Sequence, residues 1–182
     1  MSRIAGAALG LAGLASALAP VTAAADEGVA ARFAGAWRGP VVENTLGVPL
    51  KEVLAELRVD GRAVTARWTT LGEGEASVRL EPGARPGVLA PAAAGGLGAM
   101  FGGRKAAGPL EGEPLLWGRF EGSGGLSVYR LAVSREGRPT LDRYTFRPAD
   151  PDANGLTFAA SRLGPGGETV GGLRAHLGRA SP

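Results

Sequence analysis

Side chains that could carry out catalysis are scarce in this chain. It contains no cysteine and a single histidine, His176. A thiol nucleophile and every cysteine-containing metal site are therefore excluded, and a serine hydrolase would have to use His176 as its base. That histidine lies in a glycine-rich stretch near the C-terminus, where a base is poorly held in place. The sequence does not predict an enzyme, and we expect no cofactor.

Two glycine-rich segments lack the spacing that chemistry would require. Gly122-Ser123-Gly124-Gly125 does not have the Gly-x-Ser-x-Gly pattern of a nucleophile elbow. Residues 98–105 end in a lysine but have neither the spacing of a phosphate-binding loop nor the serine or threonine that follows its lysine. The carboxylates that could pair lie in predicted turns, where acids are usually solvated, and we expect no metal site: Glu73 with Glu75, and Asp150 with Asp152.

One acidic residue is predicted where an acid is unusual. A two-residue turn at Glu136-Gly137 would pair Tyr129 with Tyr144 and place Asp142 on the same strand face as Tyr144. An acid that lines an apolar cavity is costly to bury and is therefore a clue to function. The alternative is a solvated acid at the hairpin end, or one paired with a neighbouring arginine: Arg130 or Arg143.

The elements that position these side chains are predicted to be strands. The pair Asp60-Gly61 suits a two-residue type I′ hairpin turn. Pairing outward from it places Leu57 opposite Val64 and Val53 opposite Trp68, so that one face is apolar along the whole hairpin. The apolar residues from 50 to 57 also fit a helical spacing. We prefer the strand because a helix would leave the turn pair unexplained.

Further strands are predicted between turns rich in glycine and proline. With a short helix expected over 26–34, these segments predict an all-β fold, an antiparallel up-and-down meander that closes into a barrel or barrel-like sheet of about eight strands. The remaining candidates are Ala36–Val42, Glu75–Glu81, Gly87–Ala90, Leu115–Phe120, Leu126–Ser134, Thr140–Arg147 and Leu156–Leu163.

The N-terminus has the three-part pattern of a cleavable secretory signal. Arg3 precedes an apolar run from Ile4 to Leu18, and small residues precede Asp26. The run is shorter than the ~20 residues that span a bilayer. We expect residues 1–25 to be removed, the protein to be exported to the periplasm or the medium, and no stable membrane span to remain.

The mature part is predicted to be one domain. We expect the barrel to occupy residues 26–164, with a flexible glycine- and alanine-rich loop over 91–109 and a loose tail over 165–182. The formal net charge of +3 falls to +2 without Arg3, and the charges form no run. A nucleic-acid partner is therefore not expected.

The segment Phe33-Ala34-Gly35-Ala36-Trp37-Arg38-Gly39 resembles the Gly-x-Trp opening of lipocalin-like (calycin) barrels, and also the opening of small barrel domains in bacterial exported proteins. The resemblance implies that Trp37 seals the floor of the barrel. It also implies that an arginine from the end of the chain packs across this ring. Arg162, on the same face as Phe158, is the candidate, with Arg143 as the alternative.

These patterns favour a binding protein for a small apolar or amphiphilic ligand held in the barrel. The predicted ligand-lining residues are Val53, Leu57, Val64, Trp68, Tyr129, Asp142 and Tyr144. The alternative is a non-enzymatic module that binds or inhibits another exported protein through the loop over 91–109. Met100 and Phe101, at the centre of that loop, would make the contact.

Overall fold

A computed structural model of the chain describes residues 32, 34–71, 74–92, 108–122, 124–149 and 155–180. The described residues form one short 3₁₀-helix, Pro109–Glu111, and ten strands. No helix among them is long and apolar enough to cross a membrane. The strands are β1 Gly35–Asn44, β2 Glu52–Asp60, β3 Ala63–Thr69, β4 Glu75–Pro82, β5 Val88–Pro91, β6 Leu115–Glu121, β7 Gly125–Val133, β8 Pro139–Pro148, β9 Gly155–Leu163 and β10 Thr169–Arg179.

Each strand pairs with the next in the chain, and β10 pairs with β1, so the sheet is a closed barrel. Every pairing is antiparallel. The all-β, up-and-down meander predicted from the sequence is therefore confirmed. Each of the ten described strands therefore has a partner on both sides, although the short β5 pairs with only three residues of β4 and two of β6.

Alternate residues of each strand point into the barrel, and their apolar side chains form one core. Four aromatic rings occupy the middle of that core, and neighbouring ring centroids are 5.2 to 6.3 Å apart. Such separations are those of rings in direct contact. This part of the interior is therefore filled by protein: by Trp68, Tyr144, Phe146 and Phe158.

The β2–β3 hairpin confirms the predicted strands but corrects their pairing. Leu57 lies opposite Ala66, and Ala55 lies opposite Trp68, a shift of two residues from the predicted pairs. The turn consists of Gly61 and Arg62, and only Gly61 has a positive φ, +57°. This fits a type II′ turn and not the predicted type I′. Because side chains alternate with a period of two, the shift leaves every side chain on its predicted face.

The β7–β8 hairpin differs from its prediction by one residue. Tyr129 lies opposite Arg143 and not opposite Tyr144. The loop has three residues, 135–137, and Gly137 with φ +77° is the third. Such a loop, closed by the backbone bond from Ser134 N–H to the Arg138 carbonyl, adds one residue to the predicted two-residue turn. A shift of one residue moves Tyr129 to the outer wall.

The C-terminal segment is strand β10 and not the predicted loose tail, so the barrel extends to Arg179 and has ten strands. Its alternate residues Leu173, Ala175 and Leu177 are buried in the core. The glycines that suggested a loose tail have a packing role. A Cβ on Gly172 would lie 2.6 Å from the Ala160 carbonyl oxygen, so this glycine allows β10 to approach β9.

Several predictions concern segments that the structure does not describe. The signal peptide over 1–25 lies outside the described residues, as does the helix expected over 26–34 apart from Arg32 and Ala34. The same holds for residues 93–107 of the predicted loop, which include Met100 and Phe101. These predictions remain untested by the fold.

Candidate functional site

The two ends of the barrel carry different side chains. We call the end at which the odd-numbered strands begin the Trp37 end, and the end at which the even-numbered strands begin the Asp142 end. The connections at the Trp37 end include the Gly61-Arg62 turn. The β1–β2 loop over 45–51 lies at the Asp142 end, where β5 ends and β6 begins.

Trp37 and Arg179 close the Trp37 end. Trp37 is 3% exposed, and the guanidinium carbon of Arg179 lies 4.4 Å from the centroid of its ring. The same guanidinium donates a hydrogen bond of 2.7 Å to the Ala34 carbonyl. Gly35 leaves the necessary space, because a Cβ there would lie 2.2 Å from Arg179 Nη1. This arrangement is a cation–π contact across a buried indole.

The prediction that Arg162 packs across the ring of Trp37 is wrong, because Arg179 occupies that position. Arg162 instead donates to the carboxylate of Asp142, and Arg143 faces the outer wall opposite Tyr129. The predicted last strand ended at Leu163, and Arg162 was the arginine nearest its end. Recognising the alternation of leucine and alanine from 173 to 177 would have extended the barrel and led to Arg179.

Asp142 is the centre of a charged cluster at the other end. Its side chain is 1% exposed. The Nε of Arg162 donates to Oδ1 at 2.9 Å, and its Nη2 donates to Oδ2 at 3.5 Å. Arg130 Nη1 lies 3.5 Å from Oδ2. The side chains of Arg130 and Arg162 are 31% and 37% exposed, so this cluster connects the barrel interior with solvent.

Cross-strand register brings the three charged residues together. Arg130 of β7 is paired with Asp142 of β8, and Asp142 is paired with Arg162 of β9. Directly opposed residues on adjacent strands point to the same face, with Cβ atoms about 5 Å apart. Since Phe146 and Phe158 of the same strands are buried in the core, the even-numbered residues of β8 and β9 point inward. The cluster thus belongs to the inner wall.

The hydroxyl of Tyr144 lies beside this cluster. It accepts a hydrogen bond of 3.4 Å from the backbone N–H of Leu71. Burial, and then the negative charge of Asp142, raise the pKa of Tyr144 to about 12. The phenol is therefore neutral at physiological pH. Nearby in the aromatic core, Trp68 Nε1 is buried and has no hydrogen-bond acceptor in the described part of the chain.

Apolar side chains accompany the charges at the Asp142 end. Residues of the β1–β2 loop pack against the core there, as does Leu116 at the start of β6: the loop residues are Leu46, Val48 and Leu50. Leu71, just after β3, is 2% exposed. Two further leucines at this end face solvent, Leu110 at 88% exposure and Leu115 at 47%. The end combines cationic and apolar surface, which suits an amphiphilic molecule.

The predicted ligand-lining residues occupy three different environments. Asp142 lies in the cluster at the barrel end, whereas five others are buried in the core at 1% exposure or less: Val53, Leu57, Val64, Trp68 and Tyr144. Tyr129 does not line the interior. It stacks on Trp117 on the outer wall, with centroids 5.2 Å apart and planes 8° apart. Arg130, which the sequence analysis named only as a partner for Asp142, takes its place on the inner wall.

A second buried polar group lies on the outer wall. Ser127 is fully buried; its hydroxyl donates to Glu121 at 2.6 Å and lies 3.1 Å from the Thr145 hydroxyl. The bond from Ser127, and then the contact with Arg147, lower the pKa of Glu121. These bonds join β6, β7 and β8, and they satisfy the hydroxyl of Ser127, which explains how this polar residue can be buried. Among the described residues, no group of histidine, aspartate and glutamate side chains could hold a metal ion.

Two surface depressions of about 190 Å³ each lie elsewhere, one along β1 to β3 and the other along β9 and β10. Neither is lined by Asp142, Arg130 or Arg162. Within the described residues, the depressions are therefore separate from the charged cluster.

The sequence matches no protein-family model, and no curated protein matches it. Among solved structures, a protein of unknown function from the DUF3598 family of Nostoc punctiforme is similar at 11% identity, covering 83% of this chain and 49% of its own, with a TM-score of 0.46. Zebrafish ileal bile acid-binding protein, solved with cholic acid, is similar at 11% identity, covering 82% of this chain and 99% of its own, with a TM-score of 0.34. This chain spans about half the length of the Nostoc protein.

Proposed function

We propose that this protein is an exported binding protein that holds a small amphiphilic ligand at the Asp142 end of its barrel. The observation that carries the proposal is the charged cluster of Asp142, Arg130 and Arg162, which faces inward beside apolar side chains. The ligand would lie at the barrel end, because the aromatic core fills the interior beneath it.

The energetics of the cluster support a role in binding. Burying an ion pair removes two charges from water, and well-packed apolar residues in its place are often as stable or more stable. The barrel already buries an extensive apolar core, so it has no evident need of an ion pair for stability. Partly exposed arginines beside a buried acid are, in contrast, suited to contacting a polar ligand group.

Export and a lipocalin-like character are parts of the same proposal. The signal pattern of residues 1–25 supports export. The Gly-x-Trp opening, together with the contact of Arg179 with Trp37, supports the resemblance to lipocalin-like barrels. The barrel has ten strands, and the pattern of strands and turns in the sequence predicted about eight.

Native mass spectrometry tests the proposal. The full chain is produced in an exporting host and examined as purified, and again after incubation with a total lipid extract. We expect a reproducible added mass that organic extraction removes, and loss of residues 1–25 from the secreted protein. A bare protein mass after the lipid challenge would refute ligand binding, and an intact N-terminus on exported protein would refute cleavage.

A second candidate function is docking of another exported protein on the outer wall. The observation that favours it is the exposed apolar surface of Leu110 and Leu115 beside the stacked pair of Trp117 and Tyr129. Leu110→Ser with Leu115→Ser would then abolish capture of that partner without affecting ligand binding. If the same double change left capture intact, this surface would not be the docking site.

A further inference from the structure

The charged cluster at the Asp142 end carries an excess of positive charge. One carboxylate, that of Asp142, faces two guanidinium groups. In the described part of the chain, neither Arg130 nor Arg162 has a second carboxylate partner. The inner wall therefore presents one uncompensated positive charge at this end of the barrel.

The two arginines are engaged to different extents. Arg162 donates two hydrogen bonds to Asp142, through Nε and Nη2. Arg130 reaches the same carboxylate only as an ion pair at 3.5 Å and makes no side-chain hydrogen bond within the described residues. A guanidinium has five N–H donors in a planar fork. Arg130 thus keeps its donors for another acceptor, and its 31% exposure makes it reachable.

Asp142 itself is a poor site for a cationic ligand. Its side chain is 1% exposed, and both carboxylate oxygens already face arginine nitrogens. A cation would have to displace Arg162 and would meet the positive charge of Arg130. The electrostatics of the cluster therefore favour an anion.

We infer that the site binds the carboxylate of an anionic amphiphile, with Arg130 as the residue that contacts the acid group. The planar fork of a guanidinium matches the two oxygens of a carboxylate. Asp142 and Arg162 act as positioning residues. Arg162 holds the Asp142 carboxylate in place, and that carboxylate lies beside Arg130 and orients its guanidinium group. The apolar part of the ligand lies along the partly buried apolar residues of the β1–β2 loop, Leu46, Val48 and Leu50. This inference rests on the proposed function and names its ligand class.

Three probes separate the contributions of charge and apolar contact. Dodecanoate carries both an acid group and an apolar chain, 1-dodecanol carries the chain alone, and acetate carries the acid alone. Binding of each to the full chain is measured by isothermal titration calorimetry, below the concentration at which dodecanoate forms micelles. The variant is Arg130→Gln. Its matched control is Arg58→Gln, which removes an arginine of the outer wall that is 77% exposed and paired with Glu56.

We expect dodecanoate to bind about tenfold or more tightly than 1-dodecanol, as one charge-assisted hydrogen bond allows. Arg130→Gln should abolish this preference, and Arg58→Gln should preserve it. Equal affinity for dodecanoate and 1-dodecanol would overturn the contact with the acid group but leave the proposed function standing. Equal affinity for acetate and dodecanoate would overturn the apolar contact. Failure of both dodecyl probes to bind would overturn the proposed function itself.

Arg130→Gln should also fold, because Arg162 retains both hydrogen bonds to Asp142. Circular dichroism of the variant checks this directly. If it does not fold, Arg130→Lys keeps the charge but loses the fork, and we expect it to retain only part of the preference for dodecanoate. Full retention of that preference in Arg130→Lys would contradict bidentate recognition by Arg130.

Discussion

Arg179 covers the ring of Trp37, with 4.4 Å between the guanidinium carbon and the ring centroid. The two residues are directly paired in the β1–β10 ladder, so this contact reinforces the seam that closes the barrel. The guanidinium also donates to the Ala34 carbonyl just before β1. One side chain from the last strand therefore secures both the floor of the barrel and the start of its first strand.

Replacement of Arg179 should weaken this seam. We expect Arg179→Gln to lower the free energy of unfolding by about 1 to 2 kcal/mol, through loss of the cation–π contact and of a charge-assisted hydrogen bond. Urea unfolding followed by tryptophan fluorescence measures the change. The control is Arg174→Gln, in the same strand, whose exposed pair with Glu43 at 3.6 Å should contribute little. Equal effects of the two substitutions would contradict a special role for Arg179.

The C-terminal strand should be indispensable. A chain that ends at Gly164 lacks all of β10 and leaves β1 and β9 as exposed edges. We expect it to aggregate or remain unfolded, whereas a chain that ends at Ala180 should fold like the full protein. Size-exclusion chromatography and circular dichroism distinguish the two results. A folded, monomeric chain ending at Gly164 would show that this segment is dispensable, as a loose tail would be.

Loss of the buried carboxylate should be costly. Asp142→Asn leaves two guanidinium groups without their negative partner, and we expect a loss of about 2 to 4 kcal/mol in the free energy of unfolding. Glu52→Gln is the control, because the pair of Glu52 with Arg38 is exposed on both sides and should contribute little to stability. Urea unfolding at pH 7 compares them. If Asp142→Asn were as mild as Glu52→Gln, the cluster would not act as a buried ion pair.

Ionisation of Tyr144 should destabilise the barrel at high pH. Its pKa in the folded protein is about 12, against about 10 in an unfolded chain. The pKa of Tyr144 is higher in the folded protein than in the unfolded chain. The stability that comes from burying the neutral phenol is therefore fully present below pH 10 and is lost as the pH rises from 10 to 12. These values predict a loss of about 1 kcal/mol at pH 11 relative to a variant with phenylalanine at this position.

The chain has two tyrosines, so the measurement is made in a Tyr129→Phe background. There, absorbance at alkaline pH follows Tyr144 alone, and urea unfolding is compared with and without Tyr144→Phe at pH 8 and pH 11. We expect the added substitution to remove the alkaline loss. An ionisation midpoint near 10 would show that the phenol is not buried as described.

The predictions that held depend on the period of two along a strand. Alternation placed Leu57, Val64 and Trp68 on the inner face even though the predicted cross-strand pairs were shifted by two residues. In the β7–β8 hairpin, in contrast, the predicted faces of the side chains are wrong for one strand. Its loop contains one residue more than the turn pair indicates, and an odd shift exchanged Tyr129 for Arg130 on the inner wall. Loop length depends on the conformation of Gly137, which composition does not specify.

The missed strand has a different cause. The glycines of β10 led to the prediction of a flexible tail, because glycine weakens an isolated strand. Their role depends on neighbours distant in the sequence: a Cβ on Gly172 of β10 would lie 2.6 Å from the Ala160 carbonyl oxygen of β9. On the other side of β10, a Cβ on Gly39 of β1 would lie 1.9 Å from the His176 carbonyl oxygen. Close approach of two backbones is a property of the closed sheet, and Arg179 could be recognised only once that strand was in place.

The hydrogen bond from Arg179 to Ala34 joins residues 145 positions apart, and this has a consequence for how the molecule is made. The barrel cannot close until β10 has been synthesised, since β10 follows the other nine strands and pairs with β1. Contacts of such long range form slowly, because the entropy of closing a long loop must be overcome first. The barrel of the nascent chain therefore stays open until β10 has emerged from the ribosome.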